Sequence, residues 1–192
     1  MSSFIGILRD GIRKRGFELT VTLVTFVAGY TLNELNRHRA FLTDCRNSFS
    51  MLSEELTLDD KYARKNMDCL RETKDQVSCD YKRLHPLPLT ALENLLARIG
   101  PSGFASFTDY REMLTLAVLM NELNDQAVER GAFHRALITV PDNMRAASFG
   151  SKRRFINPLD ESYHAECQKL IKQIEAAQIL VKKRATRFSR LL

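Results

Sequence analysis

The sequence predicts an all-α protein: an N-terminal transmembrane helix running on into a stem, then an antiparallel helical bundle closed by a long C-terminal helix. Three observations predict it. Apolar residues recur at spacings of three and four from Leu42 to Leu56 and again from Tyr163 to Val181. No strand-like alternation of useful length occurs. Leu19 to Asn33, LTVTLVTFVAGYTLN, carries no charge and is bracketed by Glu18 and Glu34. With 192 residues, 44% apolar and 27% charged, the chain has material for one compact domain and an anchor. That apolar content excludes low-complexity disorder, and the wide spread of charge excludes a multi-span membrane protein.

The anchor comes first. A bilayer core of about 30 Å needs about 20 helical residues, so the charge-free run spans it only when Phe17 and Leu35 extend it and Glu18 and Glu34 snorkel from its ends. The expected organisation is a short basic cytoplasmic N-terminus over 1–15, a transmembrane helix over 16–36 and a helical periplasmic domain over 37–192. Arg9 and Arg13-Lys14-Arg15 precede the span, while Arg37 and Arg39 follow it, a small bias toward a cytoplasmic N-terminus. Two other readings fit the same run: a buried core helix of a soluble protein, and a signal peptide cleaved after Val27-Ala28-Gly29.

Beyond the anchor no Pro occurs before Pro86 and no Gly between Gly29 and Gly100. Leu35, Leu42, Cys45, Phe49, Leu52 and Leu56 form one apolar stripe on a helix leaving the membrane. Leu56 to Arg71 is more polar and reads as a second helix or a solvated extension. His85-Pro86-Leu87-Pro88 marks a rigid extended connector. A helix opens at Thr90, with Glu93 at capping-box spacing, and stops at Gly100-Pro101. The next begins after Ser106 or Thr108 and carries the apolar run Met113 to Met120, which predicts the centre of the bundle. Gly131 weakens it and Pro141 ends it. Arg145 to Phe155 reads as an exposed loop, and Asn157-Pro158 opens the last helix, with Tyr163, Cys167, Leu170, Ile171, Ile174, Ala177 and Val181 on its apolar stripe.

Two stretches carry a resemblance. Phe17 to Arg39, FELTVTLVTFVAGYTLNELNRHR, resembles the start of an uncharacterised domain-of-unknown-function family of bacterial single-pass inner-membrane proteins, where a glycine-bearing anchor runs into an asparagine- and charge-rich exit. Thr90 to Asn121 is similar to that family's second element, a leucine-rich turn before a small-residue pair and an Arg-then-Leu helix, here Arg111 and Leu114. The chain departs from the pattern at the anchor's exit, where Leu35 stands roughly in place of a tryptophan. The resemblance implies a location and a topology, with a helical domain outside the inner membrane, and no reaction.

In an oxidising periplasm Cys45, Cys69, Cys79 and Cys167 are disulfide candidates. Three pairings are possible; 69 with 79 and 45 with 167 is preferred, since the first pair encloses a polar loop and the second lies on two apolar stripes expected to pack together. Four buried thiols in a reducing compartment are the alternative. With Cys45 and Cys167 at one height, Gln178 or Ile179 falls near the lipid surface, so Lys182, Lys183, Arg184, Arg187 and Arg190 join Arg13, Lys14 and Arg15 as lipid-contact candidates.

No catalytic constellation, metal set or cofactor motif stands out. His164-Ala165-Glu166 lacks the cysteine pair of the zinc deaminases, and no phosphate loop or nucleophile elbow occurs. The expected partners are a lipid bilayer and an unidentified protein or second copy. The net charge of +6 lacks the aromatic interleaving that would favour nucleic acid. The function expected is a non-catalytic, membrane-anchored scaffold or interaction module. The alternative is a soluble basic helical protein that binds nucleic acid or an acidic partner.

Overall fold

A computed structural model describes the backbone of residues 2–74, 84–138 and 157–191, and the side chains of residues 18–71, 84–136 and 157–191. Cys79, the loop expected at 145–155 and the side chains of Arg13, Lys14 and Arg15 lie outside the described residues. Those described are all-α, with no strand among them. The described residues form four helices, α1 (Ser2–Lys74), α2 (Thr90–Arg98), α3 (Phe107–Ile138) and α4 (Asn157–Leu191), with a non-helical strap over 84–89 before α2 and a 3-10 turn, Gly100–Gly103, between α2 and α3. The chain divides into two compact units, one formed by residues 1–43 and the other running from Asp44 to Leu191.

The second unit is a bundle written in heptads. On α1 the buried positions are Cys45, Phe49, Leu52, Leu56, Asp59, Ala63, Asn66 and Leu70. On α4 they are Tyr163, Cys167, Leu170, Ile174, Ala177, Val181, Arg184 and Phe188. Both series alternate steps of three and four, the spacing that keeps one stripe of a helix facing its neighbours. The segment from Leu56 to Arg71 is therefore neither a second helix nor a solvated extension. It continues α1, with Asp59 and Asn66 standing at two core positions of the stripe.

Side-chain pairs fix the directions. Arg130 meets Asp160, Gln126 meets Glu166 and Arg184 meets Asp109, so α3 and α4 run antiparallel with a steady register. Phe49 stacks on Phe188 and Arg64 pairs with Glu175, so α1 and α4 are antiparallel too. Glu55 reaches the start of α2 and Asp44 approaches Arg98 at its end, which runs α2 against α1. The result is an up-down-up-down bundle. Its second member is part strap and part helix, the strap over 84–89 being non-helical.

The strap lacks a ladder of its own, and two asparagines supply one. Asn66 donates to the carbonyl of His85 and accepts from its N–H, at 2.9 and 2.7 Å. Asn124 does the same for Leu87, at 2.9 and 2.8 Å. Tyr62 lies flat on the His85 ring, 5.0 Å between centroids. The predicted capping box at Thr90 is not the device that starts α2. Leu89 occupies the N-cap with no side-chain cap, and the Glu55 carboxylate accepts the N–H groups of Ala91 and Leu92 at 2.8 and 3.0 Å. A carboxylate beside a helix N-terminus is favoured by both hydrogen bonding and the helix dipole.

At the opposite end Phe49 anchors an aromatic cluster with Phe104 and Phe188, and Phe104 also meets Tyr110. Gly103 lies against Ile99 so closely that a Cβ there would collide with that side chain, while Gly100 turns the chain at φ +58°. Ser106 accepts the N–H of Asp109 and so opens α3 where expected. Gly131 does not interrupt that helix. Nor is α3 buried all round: Met113, Leu116, Ala117, Met120 and Leu123 face inward, whereas Leu114 and Val118 are exposed.

Candidate functional site

The first unit carries the most unusual surface in the chain. Every residue from 18 to 40 is exposed, including Leu19, Val21, Leu23, Val24, Phe26, Val27, Tyr30, Leu32 and Leu35. Nothing in this stretch is a core helix. At 100° per residue its large apolar side chains spread over about 240° of the helix, leaving a strip of Thr22, Thr25, Gly29 and Asn33. No helix among the described residues is long and apolar enough to cross a membrane.

Threonine is the commonest polar residue within this band. The hydroxyls of Thr22, Thr25 and Thr31 do not reach outward for partners. They donate to the carbonyls of Glu18, Val21 and Val27, four residues back, at 2.8, 2.8 and 2.9 Å. The polar atoms are thus satisfied within the helix and the methyl groups face outward. A hydroxyl already bonded to its own backbone loses little on leaving water.

In the second unit, three buried features were hidden in the sequence. Asp59 is fully buried, neither carboxylate oxygen has a hydrogen-bond partner, and burial, with Glu55 nearby, pushes its carboxyl up to about 8. A buried carboxylic acid without a partner is held neutral in this way. Arg130, 2% exposed, is held by Asp160 through bonds of 2.6 and 3.4 Å. Arg184, also buried, approaches Asp109 at 3.5 Å, and desolvation followed by the neighbouring charge of Arg187 lowers its pKa from the usual guanidinium value. Extending the stripe of α1 past Leu56 by steps of three and four lands on Asp59, Ala63 and Asn66. That signal was available, although polarity argued against using it.

The cysteines stand apart. Cys45 lies near the level of the last turn of α4, given that Phe49 stacks on Phe188, whereas Cys167 sits near its first turns beside Asn66 and Tyr163. The expected pairing of Cys45 with Cys167 does not form, because the register of the antiparallel helices separates them by about 25 residues of α1, or ~37 Å. Both are buried thiols. Burial, with Asp44 adding to it, pushes Cys45 up to about 11. Burial pushes Cys167 up to about 12, although a hydrogen bond from Tyr163 opposes the shift. Cys69 is half-buried, and its expected pairing with Cys79 involves a residue outside those described.

The same register moves the expected lipid contacts. Level with Cys45 is the C-terminal end of α4 rather than Cys167, so Gln178 and Ile179 lie between three and four turns inside the bundle's length. Arg184 leaves the set of lipid-contact candidates because it points into the core. Lys182, Lys183, Arg187 and Arg190 remain exposed and line, with Ala105, Arg184, Thr186 and Leu191, a groove of about 740 Å³.

At the other end of the bundle a smaller cavity of about 260 Å³ lies among Leu70, Arg71, Asp160, Glu161 and His164. Asp160 there is already committed to Arg130. Among the described residues no three His, Cys, Asp or Glu side chains converge as metal ligands would. Compared with known proteins, the chain matches no family model, no curated protein and no solved structure.

Proposed function

We propose that the chain is a single-pass membrane protein, anchored through residues 16–36, whose helical domain serves as a non-catalytic scaffold or interaction module. The observation that carries this reading is the exposed apolar band. Nine large apolar side chains are exposed between Leu19 and Leu35, and a one-sided amphipathic helix would confine them to a single stripe. Residues 16–36 as helix measure about 31 Å, close to the hydrocarbon thickness. Glu18, Asn33 and Glu34 at its ends and four threonines within it lower the hydropathy of the band; the hydroxyls of Thr22, Thr25 and Thr31 are bonded to the helix itself, so the cost of placing them in lipid is smaller than their polarity implies.

The orientation follows the weak excess of basic residues before the span: N-terminus in the bacterial cytoplasm, helical domain in the periplasm. Such a compartment is compatible with thiols at Cys45 and Cys167, since burial and a raised thiol pKa shield them from oxidants. The partner on this reading is another protein or a second copy of the chain. The uncharacterised inner-membrane family that the anchor resembles has the same topology.

A second reading has an observation in its favour. Five of the six excess positive charges fall between residues 176 and 192, where no acidic residue occurs, and such a tail suits nucleic acid or an acidic partner. Membrane fractions washed with alkaline carbonate separate the two. The anchored protein stays in the pellet until detergent is added, and Val24→Arg with Val27→Arg releases it. Release of the unaltered chain by carbonate or high salt would favour the second reading.

A further inference from the structure

The net charge of this chain has a definite address. Residues 176–192 hold Lys182, Lys183, Arg184, Arg187 and Arg190 without one carboxylate, while the other 175 residues are almost neutral. The structure divides those five cations into two kinds. Arg184 is turned inward against Asp109, which leaves Lys182, Lys183, Arg187 and Arg190 exposed along one groove. No carboxylate among the described residues pairs with any of the four. Asp44, also at this end of the bundle, faces Arg98 at 3.9 Å. Between and beside the cations stand two exposed apolar residues, Ile179 at 71% and Leu191 at 57%.

We propose that this end of α4 docks on the phosphate headgroups of an anionic bilayer, with Lys182, Lys183, Arg187 and Arg190 contacting phosphate and Leu191 reaching the acyl boundary. The proposal rests on the membrane anchoring proposed above and adds a lipid preference to it. Three observations favour lipid over nucleic acid. Apolar side chains interrupt the basic face, as in helices that lie at a membrane interface, and no exposed aromatic ring is interleaved for base stacking. The only aromatic side chain in this tail, Phe188, is buried against Phe49. That stacking also puts the basic end of α4 at the start of the bundle, close to residue 44. Nine residues of chain separate residue 44 from Leu35, so in any conformation they span no more than about 32 Å. Such a tether raises the effective concentration of headgroups at the basic face and makes weak individual contacts sufficient.

The test uses the full chain purified in a neutral detergent, with bound lipids counted by native mass spectrometry. Phosphatidylglycerol and phosphatidylcholine are offered together at equal concentration. The expected result is a preference of at least about tenfold for phosphatidylglycerol, since each basic residue near an anionic surface contributes about fivefold. Replacing the four residues together (Lys182→Gln, Lys183→Gln, Arg187→Gln, Arg190→Gln) should abolish that preference. A control replacing four exposed lysines elsewhere on the bundle (Lys61→Gln, Lys65→Gln, Lys169→Gln, Lys172→Gln) should keep it, with the helical circular dichroism of both variants unchanged.

Equal retention of the two lipids, or equal loss in the control, would overturn the proposal. So would displacement of phosphatidylglycerol by millimolar inorganic phosphate, which would make the groove a site for the free anion, or by a short DNA duplex at lower concentration than lipid. Carbonate extraction keeps the two readings apart. Release by carbonate with the lipid preference intact removes the anchor and leaves a peripheral basic face; resistance to carbonate with no preference does the reverse.

Discussion

Asp59 is a carboxylic acid in a position that a leucine would suit, and its protonation should be visible in the stability of the bundle. Its folded pKa, raised to about 8 by burial, exceeds the unfolded value, so the folded state holds a proton that the unfolded chain releases. Its contribution is therefore fully favourable below about pH 4 and is lost as pH rises toward 8. The slope is about 1.4 kcal/mol per pH unit inside that window. Urea unfolding of wild type and Asp59→Asn, followed by circular dichroism at pH 5, 6, 7 and 8, should show the variant gaining steadily on the wild type. Parallel curves would contradict the buried acid. The two buried thiols give a second prediction at this scale. Cys45 and Cys167, raised to about 11 and 12, should resist a thiol reagent at pH 8 in the folded protein and react within minutes after urea is added.

Two devices at the scale of the element hold segments that have little helix of their own. The strap depends on Asn66 and Asn124, and α2 depends on Glu55, a residue from another helix. Glu55→Ala should leave the N–H groups of Ala91 and Leu92 without their acceptor and cost about 1–3 kcal/mol in a urea titration. Arg130→Met strands Asp160 in a partly buried site and should cost more, about 3–5 kcal/mol. These elements also show what the sequence could and could not reveal. The non-helical character of 84–89 was legible in His85-Pro86-Leu87-Pro88, and the last helix in the unbroken spacing from Tyr163 to Val181. The start of α2 at Thr90 was legible, but what holds it was not, because the local capping pattern there is replaced by a carboxylate 35 residues earlier. Only the fold brings that carboxylate near.

For the whole molecule, the all-α class was written in periodicity and in the lack of alternation, both local properties. Relative register was not. Nothing in the spacing of two apolar stripes says how far one helix is slid along the other, so Cys45 and Cys167 looked like partners and Arg184 looked like a surface charge. Continuing the heptads of α1 through Asp59 and Asn66 would have recovered the long stem, since a core position is set by where it falls on the helix as well as by its polarity. The candidate sites were legible in proportion to how local they are. The threonine-rich band and the basic tail could be read directly, while the division of that tail into one buried and four exposed cations required α3 to supply Asp109.

The central claim concerns the solvent around Leu19 to Leu35, and site-directed spin labelling reads that solvent directly. Single cysteines placed from position 19 to 35 in a chain freed of its four native cysteines, labelled and reconstituted into vesicles, report collisions with oxygen and with a water-soluble nickel chelate. Anchoring predicts that oxygen contact rises and nickel contact falls toward a shared extremum near Phe26 and Val27, on all faces of the helix. Uniform access of the nickel chelate along the whole stretch would contradict it.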